Sequence, residues 1–182
     1  MTVADIVVGG TNAVEAIHDD TGLAKARIKS AMNLGAVWVT RGRKTQRLRR
    51  ATRGLRAGDQ LHLYYDENVL SATHEAPTLV EDVGAYSVWD KPRGVLSQGS
   101  KWGDHCTVTR FAEKSLEPQR NAFVVHRLDR AATGLLIVAH TKNAASALSL
   151  LFRERQIDKR YRVMVHGLLG CVGDTIVMDG AI

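Results

Sequence analysis

Asp129 stands between Arg127 and Arg130 in the stretch VVHRLDRAATGLLIVA. A carboxylate beside a guanidinium stays ionised when either arginine approaches it. Such a group has two uses. It can be one half of a structural ion pair, or it can act as a nucleophile or base at a sugar carbon. Its place in a loop between two apolar runs suits the second use, because rigid scaffolds often present working groups on loops. A water-using glycosidase needs a second carboxylate across the scissile bond. None stands nearby in the sequence, which argues against simple hydrolysis. His126 invites a serine-triad reading with Asp129, but the chain has no G-x-S-x-G elbow to carry the nucleophile. Tyr161 lies among Lys159, Arg160 and Arg162. Its ring is either a core aromatic or a stacking platform for a base. The histidines are scattered without metal-ligand spacing. The glycines form neither a Walker A loop nor G-x-G-x-x-G. Neither a metal nor a nucleotide cofactor is expected.

A second chemical feature is a run of cations. Eight of the 25 lysines and arginines fall in RGRKTQRLRRATRGLR, Arg41 to Arg56, with no carboxylate among them. A cation run is often only a solvated face. This one is long, has no acidic neighbours in sequence, and sits in a chain of net charge +6. It points to a polyanionic partner. The candidate RNA-binding residues are Arg41, Arg43, Lys44, Arg47, Arg49, Arg50 and Arg53.

The elements that must position these groups follow from periodicity. The chain has 182 residues, 45% of them apolar, enough for one ordinary domain or two small ones. Ala24, Ile28, Ala31, Met32 and Gly35 share one face of a helix expected over Thr21 to Leu34, with Thr21 or Asp20 as its cap and Gly35 as its end. A shorter helix is expected around Ala13 to His18, and a strand over Ala36 to Val39. The basic run then forms a loop. Ala57-Gly58-Asp59 is a turn, and Gln60 to Tyr65 alternates as a half-buried strand. From there to about residue 84 the acidic residues and Pro77 read as a linker. Beyond it, Tyr86 to Trp89 and Ala122 to Val125 read as strands, and Gly134 to Ala139 as a buried one. Thr141 or Asn143 caps a helix with apolar face Ala144, Ala145, Leu148, Leu151 and Phe152. Ile157 to His166 alternates as a further strand, and Thr175 to Met178 as a short one. The tail offers few strands to close a sheet, so the chain reads as cut short.

Cys106 and Cys171 make neither a disulfide framework nor a zinc site and fit a reducing compartment. The start, MTVADIVVGG, lacks a signal-peptide pattern, and the apolar runs are too short to span a bilayer. A cytoplasmic protein without a membrane partner is expected.

HRLDRAATGLLIVA, followed by a helix and FRERQIDKRYRVMVHG, resembles the RluA-type family of RNA pseudouridine synthases. That family carries H-R-L-D-x-x-T-S-G before a buried strand, then K-x-Y. WDKPRGVLSQG resembles its earlier N-K-P-x-G motif. Residues 12 to 66 resemble the small RNA-binding domain of the ribosomal-protein S-four type that often precedes such catalytic domains. The resemblance implies that Asp129 is the catalytic aspartate, that Arg127 lies in the substrate site, and that Tyr161 is the active-site tyrosine. It implies isomerisation of uridine to pseudouridine within RNA, without cofactor or metal. The glycosidic bond to nitrogen breaks, the uracil turns while held, and its carbon five rejoins the ribose. The uridine must leave its stack, at a cost of a few kcal/mol, offset by phosphate contacts elsewhere. Three departures stand out: Ala132 in place of threonine, Asp90 in place of asparagine, and no later G-R-x-H-Q-I-R-x-H motif.

The expected fold class is α+β. A small α+β RNA-binding module spans 1–66, a linker 67–84, and part of a mixed-sheet pseudouridine synthase catalytic domain 85–182. Ribosomal RNA is favoured over transfer RNA, because the family often pairs this module with ribosomal substrates. The alternative, motivated by the missing motif, is a non-catalytic RNA-binding protein or an inactive fragment. A DNA-binding helix-turn-helix reading fails because the arginines follow the helices instead of lining one.

Overall fold

The computed structural model describes residues 1–9, 12–167 and 170–177. The chain is α+β, and its described residues build two four-stranded antiparallel sheets. The first uses β1 (Thr2–Val7), α1 (Ala13–Thr21), α2 (Lys25–Leu34), β2 (Val37–Arg41), β3 (Lys44–Arg47) and β4 (Gln60–Tyr65). After α3 (Glu67–Leu70), the second uses β5 (Thr78–Asp82), β6 (Tyr86–Lys91), α4 (Val108–Ser115), β7 (Phe123–Val124), β8 (Gly134–Ala139) and α5 (Lys142–Arg153). Among the described residues, no helix is long and apolar enough to cross a membrane.

The first sheet has the order β1-β4-β2-β3. Alternation sends Val37, Val39, Leu61 and Leu63 to one face, where Ile17 of α1 and Ile28 and Met32 of α2 complete a buried core. The opposite face carries Trp38, Thr40, His62 and Tyr64, all half-buried. A polar row crosses the sheet there. Thr40 Oγ1 bonds both Thr45 Oγ1 and His62 Nε2 at 2.8 Å, and His62 Nδ1 reaches Asp5.

The helix expected from Thr21 begins later. Thr21 ends α1, and Gly22, at φ 70°, turns the chain before α2 starts at Lys25. Gly22 takes the left-handed conformation that closes a helix C-terminus. Gly35 ends α2 as expected, at φ 88°. β1 and β3 were not legible in the sequence. β3 lies inside the basic run, as the second arm of a hairpin with β2.

The second sheet has the order β5-β6-β8-β7. Trp89 of β6 and Leu136 and Val138 of β8 pack with Val108, Ala112 and Leu116 of the α4 segment. The linker expected over 67–84 is instead partly structured. It contains α3 and the edge strand β5, which pairs with β6. Its acidic residues are compatible with an edge strand, where charge is tolerated and blocks further pairing. Thr141 caps α5 by accepting the Ala144 N–H at 3.1 Å. The expected apolar face of α5 is the half-covered one, although none of its residues is fully buried.

The strand expected over Ile157 to His166 does not form. Among the described residues no strand pairs with that segment, and Val163 and Met164 are exposed. A strand needs a partner for its N–H and C=O groups, so alternation alone is insufficient. Thr175 to Val177 likewise form no strand, and Met178 lies outside the described residues.

Candidate active site and cationic surface

The loop from β7 to β8 carries His126, Arg127, Leu128 and Asp129. It is tied down through its backbone and its histidine. Ser97 Oγ donates to the Leu128 carbonyl at 2.8 Å and also lies 3.0 Å from the Leu128 N–H. The Gly94 N–H donates to the Arg130 carbonyl at 2.8 Å. The Ala132 N–H donates to the Asp129 carbonyl at 3.1 Å, closing a turn. These bonds bring the DKPRG turn against the HRLD loop, two stretches far apart in sequence. Gly94 adopts φ 91°, and a Cβ there would press on the His74 ring, so glycine is required on two counts.

The side chains of Arg127 and Asp129 are left exposed. No ion pair joins Asp129 to Arg127 or Arg130 among the described residues, so the flanking guanidiniums do not reach it. The buried Lys91 lies near enough to feel the Asp129 charge. Lys91 is fully buried at the end of β6. Its Nζ donates to the Val95 carbonyl at 2.9 Å and the Pro92 carbonyl at 3.2 Å. Burial pulls its pKa down, and Asp129 opposes the shift. In the sequence Lys91 stands out only as part of WDKPRGVLSQG. The usable signal was period two: Ser87, Trp89 and Lys91 share the inward face of one strand. Ser97 offered no comparable signal.

His126 acts as a latch. Its Nε2 accepts the Ile137 N–H at 2.9 Å, and its ring stacks on Phe152 with centroids 4.3 Å apart. An acceptor Nε2 puts the proton of the neutral ring on Nδ1. Burial, helped by nearby Lys159, lowers the His126 pKa from 6.5 to about 4. Its Nε2 is thus engaged by backbone, which leaves the triad reading without its base. Lys159 lies 6.0 Å over the Phe152 ring, so the K-x-Y segment reaches the latch. Tyr161 itself is 61% exposed and enters none of the ring pairs among the described residues. No hydrogen bond or ring contact among those residues brings it to Asp129.

The cations of the basic run divide into two sets. Arg41 forms a two-pronged pair with Asp59, Nε to Oδ1 at 2.8 Å and Nη2 to Oδ2 at 2.6 Å. The Arg56 N–H adds a third bond to that buried carboxylate at 2.9 Å. Arg41 and then the Arg56 backbone hold Asp59 well below the usual carboxylate range. Arg47 and Arg49 both reach Asp104. Fold thus supplies the acidic neighbours that the local sequence lacks. Arg43, Lys44 and Arg50 remain exposed, and Arg53 is half-buried. Arg47, Arg49, Arg50, Thr52 and Arg53 line an open cleft of about 500 Å³.

Residues 85–179 match the family described as RNA pseudouridylate synthase. The chain belongs to that family. Among curated pseudouridine synthases, it is 35% identical over 82 residues to the tRNA pseudouridine synthase C of Pasteurella multocida (strain Pm70), covering 44% of this chain and 33% of that one. It is 38% identical over 80 residues to the dual-specificity RNA pseudouridine synthase RluA of Escherichia coli (strain K12), covering 44% and 36%. A third relative is the ribosomal large subunit pseudouridine synthase C of Buchnera aphidicola, 30% identical over 79 residues, covering 43% and 25%. The chain spans about a third of the length of the pseudouridine synthases it matches. Among solved structures, human RNA pseudouridylate synthase domain containing 4 matches at TM-score 0.35 and 24% identity, covering 43% of this chain and 30% of that one.

Proposed function

We propose that the chain works in the isomerisation of uridine to pseudouridine in structured RNA. Asp129 acts as the nucleophile or base at the ribose. Arg127 supports the extruded uridine, and Tyr161 packs against its base. The observation that carries this reading is the HRLD loop. Its backbone is tied by Ser97 and Gly94 and its histidine by Ile137, while the Asp129 carboxylate is left open to a ligand, in a chain of this family. A rigid loop presenting one free carboxylate suits a reaction whose barrier is lowered by fixed geometry. The enzyme bearing Asp129→Asn should bind its RNA and fail to form pseudouridine, read by selective chemical labelling of the product. Undiminished isomerisation would remove Asp129 from the reaction.

Residues 1–66 serve in this reading as an RNA-binding module of the S-four type. Support comes from the exposed cations Arg43, Lys44 and Arg50 and the arginine-lined cleft. Ribosomal RNA is the preferred substrate, on the strength of that module. The relatives' names include transfer and ribosomal RNA alike. Pseudouridine mapping of both RNA classes, with and without the enzyme, decides between them. Both cysteines are free thiols, as a cytoplasmic location permits.

A further inference from the structure

The loop Gly99 to Cys106 leaves the second sheet's unit and settles on the first. It lands on the sheet face that α1 and α2 do not cover. The Trp38 indole N–H donates to the Lys101 carbonyl at 3.0 Å. Trp102 meets Tyr64 edge to face, with centroids 5.7 Å apart, and Lys101 Nζ lies 4.7 Å over the Tyr64 ring. The Asp104 N–H donates to the Leu34 carbonyl at 3.0 Å, at the end of α2. His105 Nε2 and the Cys106 thiol both donate to the Ala72 carbonyl at 3.0 Å.

Asp104 is the centre of this contact. Its side chain is 12% exposed, and Arg47 Nε lies 3.2 Å from Oδ2, which also accepts from Arg49 Nη2. The same Arg47 donates to the Gly35 carbonyl and, at 2.7 Å, to the Ser100 carbonyl. Its guanidinium stacks 4.2 Å over Trp38. Two glycines make room for the carboxylate. A Cβ at Gly35 would overlap Asp104 Oδ1, and one at Gly99 would overlap Asp104 Cβ. A nearly buried carboxylate shared by two guanidiniums is costly to break from either side, because an unpaired buried charge remains.

We propose that Asp104, with Arg47 and Arg49, locks the N-terminal module onto the second unit, so that the arginine cleft and the Asp129 loop form one RNA-facing body. Asp104 is a positioning residue: it touches no substrate. Arg47 and Arg49 contribute to the cleft and to the lock together. The lock therefore fixes where phosphates are held relative to Asp129. This last consequence rests on the RNA reading above, while the lock itself does not.

The test is rotational diffusion of the two units by backbone amide relaxation in the intact chain. Wild type should give one correlation time for both units. Asp104→Asn removes the charge at constant shape, and Gly99→Ala forces the carboxylate aside at constant charge. Each should give two separate times, with the amide shifts inside each unit preserved. Arg49→Gln cuts the same pair and takes the place of either variant that does not fold. Two correlation times in wild type, or one in the folded variants, overturn the lock. A uridine-bearing RNA hairpin supplies the second arm. Unlocking should weaken its binding several-fold, and Asp104→Glu should recover part of the loss. Weakened tumbling coupling with unchanged hairpin affinity would retain the lock and reject its role in RNA binding. Absence of hairpin binding by wild type would count against the RNA reading alone.

Discussion

Asp129 and His126 are three residues apart and do opposite things. The carboxylate is presented outward, and the imidazole is turned in to accept a backbone N–H and stack on Phe152. The sequence placed both in one motif and could not separate their roles. His126 also makes the protein sensitive to acid. Its folded pKa is about 4 against an ordinary 6.5, so the unfolded chain takes up the proton first as pH falls. Stability is therefore full above about pH 6.5 and declines toward pH 4. Urea midpoints at pH 7 and pH 5 should show the loss, and the His126 ring should titrate near 4 by NMR. A ring titrating near 6.5 would mean that the latch is open in solution. Arg41 makes a parallel case. It was a candidate phosphate ligand, yet it is committed to Asp59. Asp59→Asn should lower the melting temperature and leave the second unit's fold intact, as followed by circular dichroism and amide shifts.

The elements show where period and cap decide and where partners do. α5, β4 and β8 lie where a cap, alternation and an uninterrupted apolar run, respectively, put them. Thr141→Ala should cost about 1 kcal/mol in denaturant unfolding. β6 owes its position to more than alternation. Ser87 sits buried between Trp89 and His140. The His140 Nδ1–H donates to the Asn121 carbonyl at 2.8 Å, which leaves Nε2 to accept from the Ser87 hydroxyl at 2.7 Å. The Ser87 oxygen in turn accepts the Trp89 indole N–H at 2.7 Å. Every member is satisfied, so Ser87→Ala strands two buried polar groups and should destabilise by about 1–3 kcal/mol. A neutral effect in urea unfolding would mean that water fills the gap. The alternating segment Ile157 to His166 makes the opposite point. Its pattern is as regular as that of β4, yet no neighbouring strand among the described residues pairs with it, and it stays irregular.

At the scale of the molecule, the loop Gly99 to Cys106 joins the two sheets, and the cations are shared between holding them and facing outward. Removing Arg43, Lys44 and Arg50 should flatten the salt dependence of RNA affinity, by about 0.7 in slope for each single-strand phosphate left without its cation. Removing Arg47 should instead loosen the two units. Titrations of an RNA hairpin across salt, beside melting curves, separate these effects. An unchanged slope in the triple variant would mean that the exposed cations touch no phosphate. Much was legible in the sequence. The α+β class, the helix ends at Gly35 and Thr141, the basic run and the HRLD motif are local facts, set by backbone preference and by residues adjacent in the chain. What tertiary structure alone decided is which partner each group found. Asp59 and Asp104 are distant in sequence from the arginines they neutralise, and Ser97 from the loop it ties. Pairing of that kind depends on long-range packing, and no spacing rule along the chain encodes it.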